Sequence, residues 1–340
     1  MYQTISFHFL SFLFLCEFGI FVLLKFIEMT NIPSVDLADF LSNDPVRKEK
    51  FVQEIGVAYS EIGFASVKNH FLSDDLMDKL YGEVKDFFAL PEEVKKNYEM
   101  EGLGRGFISF GKEHAKGKKE GDLKEFWHFG QEPSNDANLI EKYPDNVNVT
   151  EQPSFNEVGL EAYRLLEKTG MYVLRALSLY IGLDEFYYDK WITDGNSILR
   201  PIHYPPIKNE PKGAVRAGAH GDINLITLLM GASAGGLQVL RNDGEWIEAK
   251  PEAGNLVVNV GDMLERHTNN KLRSTIHRVV NPPKEEWKNP RYSIPFFMHP
   301  RSEMKLNCLK ECVDEKHPKA FDDITAGEFL NQRLREIGLI

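Results

Sequence analysis

Gly218-Ala219-His220-Gly221-Asp222-Ile223-Asn224-Leu225-Ile226-Thr227-Leu228-Leu229 is the stretch on which the reading of this 340-residue chain turns. It sets a histidine and an aspartate two positions apart and runs straight into an apolar, strand-forming segment. On a β-strand, residues i and i+2 project from one face, so His220 and Asp222 are expected to point together. A second imidazole, His277, follows 55 residues after Asp222, far enough along to arrive from another strand. Two imidazoles and one carboxylate are the facial ligand set of a mononuclear non-haem Fe(II) site, which leaves the opposite metal positions open. A lone H-x-D is a common accident, and a lone buried histidine is more often a hydrogen-bonded core residue. The weight lies in the combination. Fourteen residues beyond His277, Arg291-Tyr292-Ser293 puts a guanidinium and a hydroxyl on one strand face. A guanidinium fork grips a carboxylate bidentately.

Working outward, the texture of the chain changes at Ser197. Beyond it, short apolar runs alternate with the turn signals Asn242-Asp243-Gly244, Glu252-Ala253-Gly254 and Asn281-Pro282-Pro283. Trp246–Ala249 and Asn255–Val260 read as strands, and many short strands between turns suggest a jelly roll. Upstream, helical spacing of apolar residues covers 45–61, 74–90 and 156–182, the last as a spine along a sheet. Short helices are expected from Pro91-Glu92-Glu93 and from Asp184-Glu185, and a final helix over 322–337. Residues 103–130 read as a Gly- and Lys-rich loop with strand pieces. The expected fold class is α+β: a double-stranded β-helix core flanked by helices, with an N-terminal α/β region packed on it.

Composition narrows the function. Hydrophobic content of 42% and charged content of 27% are ordinary for a globular protein. The net charge of −11 repels phosphate backbones, so nucleic acid is not an expected partner. Lys116, Lys118 and Lys119, beside Glu120 and Asp122, read as a solvated loop. Three cysteines, Cys16, Cys308 and Cys312, imply no disulfide framework, which suits a reducing cytoplasm. Phe7 to Leu24 is apolar but lacks the preceding positive charge of a signal peptide. Residues 1–28 are therefore read as lying upstream of a natural start at Met29, with a membrane anchor as the alternative. No G-x-G-x-x-G, P-loop or G-x-S-x-G context is found.

The local contexts carry a family resemblance. The opening stretch is followed by Gly235-Gly236-Leu237-Gln238-Val239, then Asn259-Val260-Gly261-Asp262 and Arg273-Ser274-Thr275-Ile276-His277-Arg278-Val279. Arg291-Tyr292-Ser293 runs into Phe296-Phe297. Ile32-Pro33-Ser34-Val35-Asp36-Leu37, Gly63-Phe64 through Asn69-His70, Gly104-Arg105-Gly106-Phe107 and Thr325-Ala326-Gly327-Glu328-Phe329-Leu330 match as well. Over roughly residues 31–336 the chain resembles the isopenicillin N synthase-like branch of the 2-oxoglutarate- and Fe(II)-dependent dioxygenases. The divisions expected on that basis are an apolar leader 1–28, an N-terminal non-haem dioxygenase region 29–150, spine helices 151–196, a jelly-roll domain 197–305 and a C-terminal helical segment 306–340.

The resemblance implies an oxidoreductase using Fe(II), 2-oxoglutarate and O2, with ascorbate supportive. It would hydroxylate or desaturate a small molecule and release succinate and CO2. His220, Asp222 and His277 would hold the metal. Arg291, Ser293 and Tyr204 would hold 2-oxoglutarate, although Ile202 and His203 beside Tyr204 depart from the commonest form of that motif. Arg105, Phe107, Trp127 and Phe297 are candidate substrate contacts. His70 and Asn69 read as structural, His267 as near the rim without being a ligand, and His203 as a wall or hydrogen-bonding residue rather than a fourth ligand. A 2-oxoglutarate-independent Fe(II) oxidase of the isopenicillin N synthase or aminocyclopropane carboxylate oxidase type is the alternative. A non-catalytic receptor on the same scaffold is a third reading, which an intact triad disfavours. A cytoplasmic monomer is expected, membrane-bound only if residues 1–28 are genuine.

Overall fold

The computed structural model describes residues 32–100, 104–112, 122–132, 143–211, 213–231, 233–249 and 252–336. The apolar leader and the Lys116–Lys119 run lie outside the described residues. Among the described residues, no helix is long and apolar enough to cross a membrane.

Local signals place the helices. α1 (Leu37–Phe40) and α2 (Pro45–Glu61) start at Asp36 and Asp44, whose carboxylates accept from the backbone N–H of Ala38 and Val46; Pro45 takes the first helical position. Ser73 caps α3 (Asp74–Ala89) in the same way, with Asp74 and Asp75 in the dipole-favoured first turn. A short α4 (Glu92–Lys96) follows. α5 (Pro153–Ile181) is the expected spine. It begins at Pro153 and ends where Gly182 adopts φ 94°, which suits glycine. α5 lies close on the sheet because Gly159 is a glycine: an added Cβ would sit 2.4 Å from the ring of Phe129. The short helix expected from Asp184-Glu185 begins later, as α6 (Asp189–Ile192).

Two sheets face each other. The larger has the order β1 (Ser34–Asp36), β2 (Phe64–Lys68), β11 (Leu256–Val260), β8 (Ile226–Met230), β13 (Arg291–Met298), β5 (Ile198–Leu199), β4 (Glu125–Gly130) and β3 (Gly106–Ile108). β6 (Ile202–Tyr204) pairs with both β13 and β4. The smaller runs β10 (Trp246–Glu248), β9 (Leu237–Leu240), β12 (His277–Val279), β7 (Ala217–His220). Phe64 and Val257 from the large sheet pack against Ala217, Val239 and Val279 of the small one, closing a jelly-roll interior. The outer face of the large sheet meets the helices in the main core, which includes Phe51, Leu166, Leu228 and Phe296.

β13 shows how alternation sorts the residues. Ile294, Phe296 and Met298 turn outward into that core, and the Phe296 ring meets Tyr163 of α5 edge-on at 5.0 Å. Arg291, Ser293 and Phe297 take the opposite, interior face. A short α7 (Asp262–His267) follows β11. The C-terminal helix begins at Ala326, later than the expected 322, and is described to Glu336 as α8 (Ala326–Glu336).

Candidate metal and carboxylate centre

The structure brings His220, Asp222 and His277 together: one ligand atom from each lies within 4.8 Å of the others. His220 ends β7 and His277 opens β12, directly opposite it in the ladder. Asp222 does not share the strand with His220, as the i, i+2 argument assumed. β7 stops at His220, and Asp222 stands in the turn that follows, reaching the same point from there. Asp222 Oδ1 lies 3.8 Å from His220 Nε2 and 3.6 Å from His277 Nε2.

The hydrogen bonds around the triad fix which atoms are offered. His220 Nδ1 is 2.7 Å from the Gly218 carbonyl and His277 Nδ1 is 3.2 Å from that of Thr275. A carbonyl only accepts, so each ring carries its proton on Nδ1 and turns the Nε2 lone pair to the common point. Asp222 Oδ2 accepts from Thr227 Oγ1 at 2.6 Å and from Asn259 Nδ2 at 2.8 Å, which leaves Oδ1 as the free ligand atom. Thr227 is itself held by Asn224 Nδ2 at 2.9 Å. Burial pushes Asp222 up, but the positive charge that His277 and His220 carry when protonated, with the Asn259 and Thr227 hydrogen bonds, outweighs it and holds the carboxyl below its ordinary range. The Asp222 carbonyl accepts from the N–H of Asp262, and the Asp262 carboxylate is gripped by Ser274 and by Arg333 of α8, each at 2.6 Å. Sequence reasoning did not assign roles to Thr227, Asn259 or Asp262, although all three lie in the motif stretches. One neutral-tautomer lone pair from each imidazole and one unshared carboxylate oxygen are the donors a divalent iron takes.

Further along the interior, Arg291, Ser293 and Tyr204 share one face. Arg291 stands directly across the ladder from Tyr204, and its guanidinium carbon lies 5.0 Å from the centre of that ring. Its Nε donates to the carbonyls of Ala234 and Gly235, both at 3.2 Å. Its NH1 is sealed from solvent with no hydrogen-bond partner among the described residues. Ser293 is buried two residues along the same face. An orphaned guanidinium N–H beside a hydroxyl fits the distal carboxylate of 2-oxoglutarate. His203 is the hydrogen-bonding residue expected, with Nδ1 2.7 Å from Glu125 Oε1, but it is no wall of the interior: it stands across the ladder from Tyr292, stacks on that ring at 4.8 Å and turns with it to the outer face, beside Phe88. The buried ion-pair partner of Glu125 is Lys95, 2.8 Å from Oε2.

The candidate substrate contacts divide. Phe297 is half-buried on the interior face, with the Arg200 guanidinium 5.0 Å from its ring. Phe126 lies under the same guanidinium at 4.5 Å, and Arg200 Nε donates to His128 Nε2 at 2.7 Å. These wall residues were not singled out in the sequence. Phe107 and Trp127 do not line the interior. They pair across β3 and β4 on the outer face and pack around Phe87, with Trp127 fully buried 4.9 Å from that ring. Aromatic residues next to a motif were read as pocket where strand alternation makes them core. Arg105 is also buried, its guanidinium wedged against Gly130, with Nε and NH2 unpartnered among the described residues.

The remaining polar expectations resolve locally. His267 sits in the core rather than at the rim, stacked on Tyr187, with Nδ1 2.7 Å from the Asn307 carbonyl. His70 is structural: Nδ1 accepts from Leu72 N–H, so Nε2 donates to the Gly254 carbonyl at 2.7 Å. Asp122, read as part of a solvated loop, is buried and paired with Lys124 at 3.0 Å beside β7.

Comparison with known proteins agrees with this geometry. Residues 32–151 match the family described as non-haem dioxygenase in morphine synthesis N-terminal, and residues 195–300 match the 2OG-Fe(II) oxygenase superfamily. The 2-oxoglutarate-Fe(II) type oxidoreductase hxnY of Emericella nidulans is 29% identical over 88% of each chain. Proline hydroxylase buaE of Petromyces alliaceus is 31% identical, over 88% of this chain and 97% of its own. Among solved structures, a putative 2OG-Fe(II) oxygenase family protein from Caulobacter crescentus is 45% identical, covers 90% of this chain and 99% of its own, and superposes with a TM-score of 0.81. A full-length Neurospora crassa protein solved in complex with alpha-KG is 32% identical, with 89% and 96% covered and a TM-score of 0.78.

Proposed function

The chain belongs to the 2-oxoglutarate- and Fe(II)-dependent oxygenase superfamily, and from that premise we propose that His220, Asp222 and His277 hold the iron while Arg291, Ser293 and Tyr204 hold the cosubstrate. It is a 2-oxoglutarate-dependent dioxygenase, as the resemblance read in the sequence implied; the 2-oxoglutarate-independent alternative is not favoured. The observation that carries the residue assignment is the division of labour at Asp222, with Oδ2 saturated by Thr227 and Asn259 and Oδ1 left between two Nε2 atoms.

When bound, the iron with 2-oxoglutarate and O2 supplies the oxidising power, with succinate and CO2 released as a substrate C–H bond is oxidised. The chain's own residues set the geometry. Gly218 and Thr275 carbonyls hold the two imidazoles in the tautomer that ligates. Thr227 and Asn259 stop the carboxylate from rotating. Arg291 fixes the far end of 2-oxoglutarate by its distal carboxylate, and Ser293 adds a hydroxyl donor. Phe126 and Phe297, with Arg200 over both rings, form the wall a small organic substrate would meet. A substrate of that size is in keeping with the Neurospora crassa protein, whose structure is also solved with thymine, and with JOX2, solved with 2OG, Fe and JA.

The test is succinate formation by the full chain given Fe(II), ascorbate, O2 and 2-oxoglutarate. Succinate that disappears in His277→Ala and in Arg291→Gln supports both assignments. Unchanged succinate in either variant removes that residue from the site.

A further inference from the structure

Arg216 lies immediately before β7 and is buried to 2% exposure. It makes no ion pair among the described residues. Its backbone N–H is fixed by Asn281 Oδ1 at 3.1 Å, and one arm of its guanidinium donates to the Asn289 carbonyl at 3.2 Å. Its Nε is sealed from solvent without a hydrogen-bond partner among the described residues. The guanidinium carbon lies 6.0 Å from the centre of the Tyr204 ring, the same ring that has Arg291 at 5.0 Å. Burial lowers Arg216 from its ordinary value and Arg291 lowers it further, with Tyr204 and Glu286 pulling the other way.

Two buried like charges over one tyrosine, each with an unpartnered N–H, form an arrangement that a lone protein does not favour. An unsatisfied buried donor costs free energy, and so does like-charge proximity in a poorly screened interior. A fully ionised carboxylate between the two guanidiniums, beside the Tyr204 ring, relieves all three defects at once. Tyr204 stands across the ladder from Arg291, the residue proposed above for the distal carboxylate, so the ligand is already implied.

We infer that Arg216 is a second guanidinium for the distal carboxylate of 2-oxoglutarate, reaching it from the His220 strand while Arg291 reaches it from β13. The inference rests on the cosubstrate reading proposed above. Arg216 is thus a specificity residue. It makes this site demand a dicarboxylate, because a 2-oxo acid lacking the distal carboxylate leaves both cations uncompensated.

The experiment is calorimetric binding to the full chain, loaded anaerobically with Fe(II), using 2-oxoglutarate and 2-oxopentanoate as the two probes. Wild type should bind 2-oxoglutarate far more tightly than 2-oxopentanoate. Arg216→Gln should weaken 2-oxoglutarate by about tenfold or more, the range for loss of a hydrogen bond to a charged group. It should leave 2-oxopentanoate unchanged or slightly improved, so the discrimination between the probes falls. Arg216→Lys keeps the charge without the fork and should fall between the two. If Arg216→Gln binds 2-oxoglutarate like wild type, or weakens both probes equally, the inference is overturned. If wild type itself fails to bind 2-oxoglutarate, the underlying cosubstrate reading fails instead.

Discussion

The metal end and the carboxylate end of the site are built on opposite terms. Around the triad the supporting polar atoms are satisfied by the protein itself: both Nδ1 atoms have carbonyls, and Asp222 Oδ2 has two donors. Around Tyr204, Arg291 NH1 and Arg216 Nε are buried with no hydrogen-bond partner among the described residues. The first arrangement holds its shape without help. The second is electrostatically incomplete until an anion arrives. The difference teaches which end carries recognition: metal ligands need fixed geometry, whereas a cosubstrate pocket gains selectivity by leaving charges that one ligand class alone can satisfy.

The harshest way to break this comparison is to remove a residue proposed as a metal ligand. Asp222→Ala or His277→Ala should abolish detectable turnover and iron binding. The fold should survive, because the jelly-roll interior and the helix-backed core lie on other residues. Turnover and iron content measured beside a thermal melt decide this, and retained turnover would refute the triad. At the other end, Arg291→Lys should leave iron binding intact and raise the apparent KM for 2-oxoglutarate by about 10- to 100-fold, because an ammonium cannot present the same fork. A KM unchanged from wild type would place the carboxylate elsewhere.

A milder change sharpens the contrast. Asn259→Ala removes one of the two donors that hold Asp222 Oδ2. Outer ligand supports of this kind are worth about 10- to 100-fold in metal affinity. Iron affinity should fall by that order while the discrimination between 2-oxoglutarate and 2-oxopentanoate stays put. Arg216→Gln should do the reverse. A loss of both properties in either variant would show that the two ends are mechanically one.

The same contrast explains what could be read from the sequence. The gathering of His220, Asp222 and His277 was legible because few combinations of residue type and spacing suit a facial iron triad. The long helices were legible because α2, α3 and α5 carry apolar spacing and clear starts at Asp44, Ser73 and Pro153. Thr227 and Asn259 were not, since a threonine in a strand and an asparagine beside a valine look like ordinary β residues until register places them beside Asp222. Phe107 and Trp127 misled for a related reason. Which face of β3 and β4 turns to the helices depends on how those strands join the sheet, and no local pattern states it. Arg216 is the extreme case, one arginine among many whose meaning comes from a tyrosine on another strand.

The gentlest test uses a histidine that the site does not employ. His267 is buried against Tyr187, and burial drives it down to about 4 despite the Asn307 carbonyl. Its folded value lies below that of the unfolded chain, so as pH falls below about 6.5 the unfolded chain takes up the proton first. Stability from this group is full above that pH, declines between about 6.5 and 4, and levels off below. At pH 5 the loss is on the order of 2 kcal/mol. His267→Gln should therefore show a smaller drop in urea-unfolding stability from pH 7 to pH 5 than wild type, by about that amount. Its affinities for iron and 2-oxoglutarate should not move at neutral pH. An equal acid drop would mean that His267 is protonated in the fold. A change in iron affinity would mean that the core behind α7 reaches the triad through the Asp262–Asp222 backbone contact, and that the metal end is less self-contained than its hydrogen bonds imply.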